Sequence, residues 1–221
     1  MTGLPRRGTA LSVYALVPAA GRGERFGGAK LLASWRGRAL LGHVLLRLGG
    51  ARAGGLLGTV VVVHRESDEA IRTLTREYRA HAVSVPSQAE LSDSLRAGIG
   101  AVASRSDGAE PTALLICLGD QPLIRLEVIE ALVDAWRGAG FQAVRPQYRD
   151  APGEPGHPLL LDRSLWGFAA DLRGEEGLAP VLARRGIPVK QIPVPGGNPD
   201  VDTPDDLAAL DTAAGPAGRA G

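Results

Sequence analysis

Short apolar runs alternate with amphipathic segments along the first two thirds of the chain. The apolar runs are rich in valine, leucine and isoleucine and are bounded by glycine or polar residues, which predicts buried strands at 11–19, 59–64, 81–85 and 112–119. Apolar residues recur at helical spacing between these runs, which predicts helices at 39–53, 67–78, 92–103 and 126–140. Strands that alternate with helices indicate an α/β fold with a mostly parallel sheet covered on both faces.

One of these helices has a recognisable start and one has a recognisable end. Ser67 is a candidate N-cap, and Ile71, Leu74 and Tyr78 then lie on one helical face. The helix at 126–140 ends on a glycine, which is typical of helix C-termini.

The alternation changes after residue 146. A strand that begins at Phe141 is predicted to break at Pro146, and a loop rich in proline and glycine follows it. Beyond the loop we predict a short strand, two short helices at about 162–170 and 176–185, and a strand at 187–194. A last helix has Thr203 at its N-cap and Pro204 at its first position.

Composition narrows the classes of function. The chain has 25 basic and 24 acidic residues, a net charge of +1 and 4% aromatic residues, which is unlike a nucleic-acid-binding surface. The single cysteine, Cys117, excludes an internal disulfide framework and a cysteine-rich zinc site. Its apolar neighbours predict a small buried thiol.

Length and hydropathy set the expected domain organisation. We expect one domain over residues 12–211, an N-terminal tail at 1–11 and a disordered C-terminal tail at 212–221. No segment approaches the roughly 20 apolar residues of a membrane span. We therefore expect a cytoplasmic protein without a membrane partner.

A glycine-rich loop follows the first predicted strand and ends on a lysine. Glycines let backbone N–H groups approach an anion closely, and Arg25 and Lys30 add positive charge. The loop is not a Walker A motif, because Leu31 follows the lysine, and Phe26 stands where the third glycine of a dinucleotide motif belongs. A structural turn and a phosphate site are both consistent with this loop alone.

Aspartates follow two later strands, near the predicted ends of those strands. Asp120 comes directly after the strand at 112–119, and Asp200 and Asp202 precede the last helix. Ligands of such sheets bind beyond the carboxyl ends of the strands, and Mg²⁺ takes one or two carboxylates together with phosphate oxygens. Helix capping is the alternative role of each aspartate. With the glycine loop, these residues fit metal-assisted attack on a nucleoside triphosphate.

Four segments together resemble the MobA-like nucleotidyltransferases: AAGRGERFGGAK, LGDQP, RPQYRDAPGEPGHPLLL and DVDTPDDL. Molybdenum cofactor cytidylyltransferases are the most similar branch. The resemblance implies a Rossmann-like three-layer sandwich of the nucleotide-diphospho-sugar transferase type. It also implies Mg²⁺-dependent transfer of CMP from CTP to the terminal phosphate of molybdopterin, with release of pyrophosphate and without a covalent enzyme intermediate.

The resemblance also assigns roles to the triphosphate and metal residues. Arg25 and Lys30 would hold the triphosphate and act as catalytic residues. Asp120 would be the principal Mg²⁺ ligand and a catalytic residue, and Asp202 the second ligand. The nucleotide-binding residues would be Ala19, Ala20, Gly21, Gly23, Arg25, Lys30, Ser92 and Ser94, and the paired alanines favour CTP.

Two further segments bear on the base and the acceptor. In ELSDSL, Glu90 and Asp93 replace a glycine and a serine of the family pattern, which bears on the choice of nucleobase. In PGHP, the resemblance places Gly156 and His157 at the acceptor, the molybdenum cofactor, and a local hydrogen-bonding role in the loop is the alternative for His157.

Alternative functions remain open at the level of sequence. The same motifs would serve nucleotidyl transfer to another phosphorylated acceptor. The glycine loop is a near miss to a dinucleotide motif, which would suit an NAD(P)H-dependent oxidoreductase of the nicotine-pigment reductase type. A carrier that delivers the cofactor to a molybdenum hydroxylase apoenzyme is a further alternative, alone or beside the transfer reaction.

Overall fold

The computed structural model describes residues 12–105 and 110–213, and most of these belong to a sheet and its covering helices. The large sheet consists of β1 (Ser12–Pro18), β4 (Val60–Arg65), β5 (His81–Val85), β6 (Pro111–Ile116), β7 (Ala143–Tyr148), β8 (Leu159–Asp162) and β9 (Lys190–Val194). The small hairpin consists of β2 (Ser34–Trp35) and β3 (Arg38–Ala39). The helices are α1 (Leu40–Ala53), α2 (Glu69–Glu77), α3 (Leu91–Ala103), α4 (Leu126–Ala139), α5 (Leu178–Arg184) and α6 (Pro204–Ala213). Three 3₁₀ segments lie at Glu24–Phe26, Lys30–Leu32 and Arg163–Asp171.

The seven strands have the order β5–β4–β1–β6–β8–β7–β9. The first four are parallel to one another, and β9 is parallel to β7. β8 is antiparallel to both of its neighbours, β6 and β7. The predicted mostly parallel sheet is therefore confirmed, with one inserted antiparallel strand.

Alternate residues of the central strand supply two separate hydrophobic cores. Val13, Ala15 and Val17 pack on one face of the sheet with residues of α1 and α4. Tyr14 and Leu16 pack on the opposite face with residues of α3, α5 and the segment 163–171. Both faces of β1 are buried because helices cover both sides, as expected for parallel strands. The result is the three-layer, Rossmann-like α/β sandwich that the sequence indicates.

Three local predictions need correction. β7 does not break at Pro146 but continues to Tyr148. Its pairing with β8 covers only Ala143 and Val144, so among the described residues no strand pairs with that edge of β7 at Pro146. The N-cap of α2 is Asp68 rather than Ser67. The predicted helix at 162–170 is a 3₁₀ segment, Arg163–Asp171.

The last helix begins as predicted. Thr203 is adjacent to Pro204, and its hydroxyl accepts the backbone N–H of Asp206 at 3.2 Å. The predicted tail at 1–11 and residues 214–221 of the predicted C-terminal tail lie outside the described residues. Among the helices of the described residues, none has the length and hydropathy that crossing a membrane requires.

Candidate active site

A cleft of about 950 Å³ lies at the carboxyl ends of β1, β4, β5 and β6. Its wall includes the loops that follow these strands, which is where doubly wound sheets bind ligands. Of the predicted site residues, those that line the cleft are Ala19, Ala20, Gly21, Gly23, Lys30, Ser94 and Asp120.

The glycine loop folds back on itself at Gly23. Gly23 has a φ of 60° and Gly27 a φ of 83°, a region that favours glycine. The carbonyl oxygen of Gly23 accepts the N–H of Gly28 at 3.3 Å, and the carbonyl oxygen of Gly28 accepts the N–H of Lys30 at 2.6 Å. A side chain at Gly23 would overlap the carbonyl oxygen of Gly28. The compact turn directs Lys30 towards the end of β6.

Lys30 connects the two predicted metal ligands. Its Nζ donates to Asp120 Oδ2 at 2.5 Å and to Asp202 Oδ1 at 2.9 Å. Arg25 contacts the other oxygen of Asp202 at 2.8 Å. Burial alone would lower the pKa of Lys30, but hydrogen bonds and charges from Asp120 and Asp202 outweigh it and raise that pKa. Lys30 is therefore a positive charge in the lining of the cleft.

Backbone and capping contacts hold Asp202 in this position. The N–H of Val201 donates to the carbonyl oxygen of Asp120 at 3.1 Å, which joins the two aspartate loops directly. Asp206, in the first turn of α6, accepts the N–H groups of Asp202 at 3.0 Å and Thr203 at 2.8 Å. The start of α6 thus fixes the backbone that carries the Asp202 carboxylate.

The carboxylate of Asp120 has the features of a metal ligand. Its Oδ1 is buried and has no hydrogen-bond partner, although buried carboxylate oxygens are normally satisfied. Within residues 12–105 and 110–213, no group of three or more His, Cys, Asp or Glu is placed to hold a metal. Asp120 and Asp202 would therefore supply part of a coordination shell, and phosphate oxygens and water the rest, which suits Mg²⁺.

A buried amide pair supports the neighbouring aspartate. Gln121 donates to Asp200 Oδ1 at 2.9 Å and accepts from the Asn198 amide at 3.2 Å. Desolvation and the negative charge of Asp120 raise the pKa of Asp200. Sequence reasoning did not select Gln121 or Asn198. The sequence marks these two residues only weakly as site residues. Each is a polar residue next to a predicted ligand loop, and the sequence does not show that both are buried.

The two candidate serines of α3 have different surroundings. Ser94 lines the cleft, and its hydroxyl donates to the Glu90 carbonyl oxygen at 3.2 Å. Ser92 is buried away from the cleft lining, and its hydroxyl accepts from Arg96 at 3.2 Å. Asp93, which departs from the family pattern, accepts the N–H of Glu90 at 3.0 Å and so caps the helix.

The candidate acceptor residues lie beside the end of β7, outside the cleft lining. Gly156 is so close to the strand that a Cβ there would be 2.5 Å from the Pro146 carbonyl oxygen. Tyr148 donates its hydroxyl hydrogen to the carbonyl oxygen of His157 at 2.8 Å. Burial lowers the pKa of His157 to about 4; the charge of Arg145 acts in the same direction, and that of Asp120 opposes it. His157 is thus a neutral imidazole that is electrostatically coupled to Arg145 and Asp120.

The loop after β4 also lines the cleft and was not among the predicted site segments. It contributes Arg65, Ser67 and Asp68. The available signal was its position, since it follows a strong apolar strand in the same way as the glycine loop.

The glycine loop does not have the geometry of a dinucleotide motif. In that motif the loop opens a helix whose N-terminus holds the pyrophosphate. Here one short 3₁₀ segment lies within the loop, a second one and the β2–β3 hairpin follow it, and α1 begins only at Leu40.

Comparison with known proteins gives a family match and structural relatives. Rv0371c from Mycobacterium tuberculosis H37Rv is 28% identical, with a TM-score of 0.72 over 91% of this chain and 98% of that chain. A manganese complex of Rv0371c is likewise 28% identical, with a TM-score of 0.71 over 90% of this chain and 97% of that chain. CMP:2-keto-3-deoxy-manno-octonic acid synthetase, solved with CTP, shares the fold at 16% identity, with a TM-score of 0.70 over 90% and 96% of the two chains. No curated protein sequence matches.

The family match covers the glycine loop and the Asp120 loop. Residues 15–189 match the model of the MobA-like NTP transferase domain. This range starts within β1, continues through β8 and α5, and includes the cleft residues predicted from the sequence. The chain belongs to the MobA-like NTP transferase domain family, and it is a nucleotidyltransferase.

Proposed function

We propose that this nucleotidyltransferase transfers CMP from CTP to the terminal phosphate of molybdopterin and releases pyrophosphate. The observation that carries the reaction type is the buried, unpartnered Oδ1 of Asp120 in the same cleft as the ammonium of Lys30. A carboxylate with a free oxygen can hold a metal, and a lysine can act as a point charge on phosphate.

The basic residues of the site would bind the phosphates of CTP, and the acidic residues would bind the metal. Lys30 and Arg25 would neutralise the β- and γ-phosphates, and Gly21 and Gly23 would let backbone N–H groups approach them. Asp120 and Asp202 would hold Mg²⁺, which when bound polarises the phosphate oxygens and stabilises the leaving pyrophosphate. Because both carboxylates already contact Lys30, binding of substrate would rearrange these three side chains.

Nucleotidyltransferases of this family typically depend on a divalent metal, and the related Rv0371c has been solved with manganese. The choice of Mg²⁺ rests on the donor set, because carboxylate and phosphate oxygens suit a hard cation.

The transfer step would be direct. An oxygen of the acceptor phosphate would form a bond to the α-phosphorus of CTP, while the bond from that phosphorus to the bridging oxygen breaks. Pyrophosphate would leave with the electron pair. The enzyme would contribute positioning and charge neutralisation.

The choice of CTP and molybdopterin is supported by the paired alanines and the PGHP segment. Ala19 and Ala20 are buried at the end of β1 and line the cleft. His157 is electrostatically coupled to Asp120 and is not among the residues that line the cleft. We propose a cytoplasmic location for the reaction and a molybdenum hydroxylase apoenzyme as the acceptor of its product.

A two-stage experiment tests the proposal. CTP, GTP, ATP and NADPH are titrated calorimetrically into the purified protein with MgCl₂, and molybdopterin is then added with each bound nucleotide while pyrophosphate is measured. We expect selective binding of CTP and release of pyrophosphate only with both substrates. Binding of CTP without transfer to molybdopterin would show that the acceptor is wrong. Binding of NADPH alone would contradict the proposal altogether.

A further inference from the structure

Arg145 is a partly buried arginine on β7 whose guanidinium has no partner among the described residues. Its Nε is buried and makes no hydrogen bond. Burial lowers its pKa, because desolvation disfavours the charged form. An arginine stays charged in proteins, and an unpaired charge that has lost part of its hydration is unfavourable until an anion compensates it.

The position of Arg145 places it on the same face of the sheet as the residues that follow His157. Val144 and Tyr148 pack into the core on one face, whereas Ala143 packs into the core on the other. Alternation along the strand therefore puts Arg145 on the second face. Leu159, two residues after His157, belongs to that same core.

Electrostatics connect Arg145 to the catalytic carboxylate. The charge of Arg145 lowers the pKa of His157, and the charge of Asp120 raises it, so the imidazole is within the field of both. His157 is neutral at physiological pH and keeps one ring N–H donor. The His157 segment packs against β7, which carries Arg145, through the Tyr148–His157 hydrogen bond, and both Arg145 and His157 are outside the residues that line the nucleotide cleft.

The nearby carboxylates contact other groups, apart from Asp120 Oδ1, which is the oxygen proposed to hold the metal. Asp120 and Asp202 contact Lys30 at 2.5 and 2.9 Å, and Asp200 accepts from Gln121 at 2.9 Å. A counter-charge for Arg145 then has to come from a ligand. The planar fork of a guanidinium matches two oxygens of a phosphate, which makes a phosphomonoester the best-fitting anion.

We propose that Arg145 binds the phosphate group of the acceptor, with the His157 imidazole as a second donor, and so selects phosphomonoesters as acceptors. The inference rests on the proposed nucleotidyl transfer and adds the residue that recognises the acceptor. The bound phosphate would approach the α-phosphorus from the side of β7 and β8, opposite the glycine loop.

Substitutions of Arg145 with a matched control test this site. Arg145→Gln removes the charge, Arg145→Lys keeps the charge without the fork, and Arg149→Gln removes an exposed arginine four residues later on the same segment. The nucleotide cleft is first saturated with Mg²⁺ and α,β-methylene-CTP, which cannot release pyrophosphate. Phenyl phosphate is then titrated calorimetrically, and the KM values for CTP and molybdopterin are measured separately.

We expect Arg145→Gln to weaken phenyl phosphate binding and to raise the acceptor KM by about tenfold to a hundredfold, with the CTP KM unchanged. Arg145→Lys should be intermediate, and Arg149→Gln should match the wild type within about twofold. An acceptor KM and phenyl phosphate affinity that are unchanged in Arg145→Gln would overturn the proposal. If that variant does not fold, wild-type phosphate affinity in Arg145→Lys would overturn it instead.

The experiment separates this proposal from the proposed function. Arg145-dependent binding of phenyl phosphate, without transfer of CMP to molybdopterin, would support the phosphate site and contradict the assigned acceptor. Transfer to molybdopterin with an acceptor KM that is insensitive to Arg145 would support the proposed function and contradict the phosphate site at Arg145.

Discussion

The ammonium group of Lys30 donates a 2.5 Å hydrogen bond to the carboxylate of Asp120, which lies 90 residues later in the chain. Side-chain exposure is only 14% for Lys30 and 19% for Asp120, so water screens the pair weakly. A metal ion that binds Asp120 has to compete with this ammonium for the same carboxylate. Lys30, which is proposed to hold the triphosphate, therefore also competes with the metal for the Asp120 carboxylate.

Asp120→Asn should remove metal-dependent turnover while the fold is retained. The amide has the same shape but no negative charge, and we expect turnover to fall by at least about 100-fold because a metal contributes several kcal/mol to such a reaction. Thermal unfolding and steady-state rates measure the two effects. Asp134→Asn, an exposed aspartate on α4, is the control for loss of a charge. Near-normal turnover in Asp120→Asn would remove Asp120 from the mechanism.

Lys30→Met should affect the metal and the triphosphate in opposite directions. Without the ammonium, the carboxylates of Asp120 and Asp202 repel each other and should bind Mn²⁺ or Mg²⁺ more tightly in the absence of nucleotide. CTP should bind more weakly, because a positive charge on its phosphates is lost. Calorimetry with metal alone and with metal plus CTP measures both. Lys190→Met changes the exposed lysine of β9 and should alter neither the metal affinity nor the CTP affinity.

The same ion pairs predict how stability changes at high pH. Asp120 and Asp202 raise the pKa of Lys30 above its ordinary 10.5, although burial acts against them. Their contribution to stability is therefore complete below the unfolded pKa of about 10.5 and is lost as pH rises through the folded pKa. The difference in melting temperature between the wild type and Lys30→Met should shrink at alkaline pH. A difference that stays constant to the highest pH would contradict this view.

His157 predicts a loss of stability on the acidic side. Burial lowers its pKa from 6.5 to about 4, so the unfolded chain binds a proton that the folded chain does not. Stability is complete above pH 6.5 and falls as pH decreases towards 4, by roughly 3 kcal/mol in total. Denaturant unfolding of His157→Gln should show a shallower pH dependence over this range. An unchanged pH dependence in His157→Gln would contradict this assignment.

Two glycines of α3 should respond oppositely to alanine. A Cβ at Gly98 would overlap Leu16 and would lie 3.0 Å from a methyl carbon of Val63, so Gly98→Ala should destabilise the fold by about 1–3 kcal/mol. Gly100 has no atom within 4 Å of the added Cβ, and Gly100→Ala should stabilise it by about 0.5–1 kcal/mol. Denaturant titration of both variants measures the effect. Equal changes in the two variants would mean that α3 does not depend on close approach at Gly98.

Gly21 offers a test of the phosphate loop that is free of steric conflict within the protein. A Cβ there meets nothing within 4 Å, so Gly21→Ala should keep the wild-type melting temperature. If backbone N–H groups at this point contact phosphate, the methyl group should still weaken CTP binding by at least about tenfold. Gly23→Ala should reduce both the melting temperature and the affinity for CTP, because its Cβ overlaps the carbonyl oxygen of Gly28 within the loop. Unchanged CTP affinity in Gly21→Ala would remove that residue from the site.

The sequence predicts the parallel half of the sheet more completely than the other half. Strands β1, β4 and β6 are continuous apolar runs because both faces are buried. The antiparallel insertion of β8 between β6 and β7 has no comparable signal, since it depends on which distant edges meet. Pro146 illustrates the limit: a proline predicts a break, but it is tolerated where one edge of β7 has no strand beside it.

For the site, the sequence indicates which loops converge but not how their side chains pair. Lys30, Asp120 and Asp202 are predicted from their places near strand ends and in the motifs, whereas their shared hydrogen bonds depend on tertiary geometry. Ser92 and Ser94 have the same residue type and differ only in the face of α3 that they occupy. Arg145 resembles many other arginines in the sequence. Its buried, unpartnered Nε is shared with Arg65, Arg72 and Arg125, and what distinguishes Arg145 is that desolvation lowers its pKa.

The contact between Lys30 and Asp202 spans 172 positions, which is most of the chain. A contact of such long range has a large loop-closure cost and forms late in folding. During synthesis, the glycine loop and the first strands emerge well before Asp202 does, so a nascent chain can build much of its sheet while it lacks the second carboxylate. The proposed pair of metal ligands is thus complete only after residue 202 has emerged from the ribosome, and a truncation before residue 202 would remove one of the two carboxylates that contact Lys30.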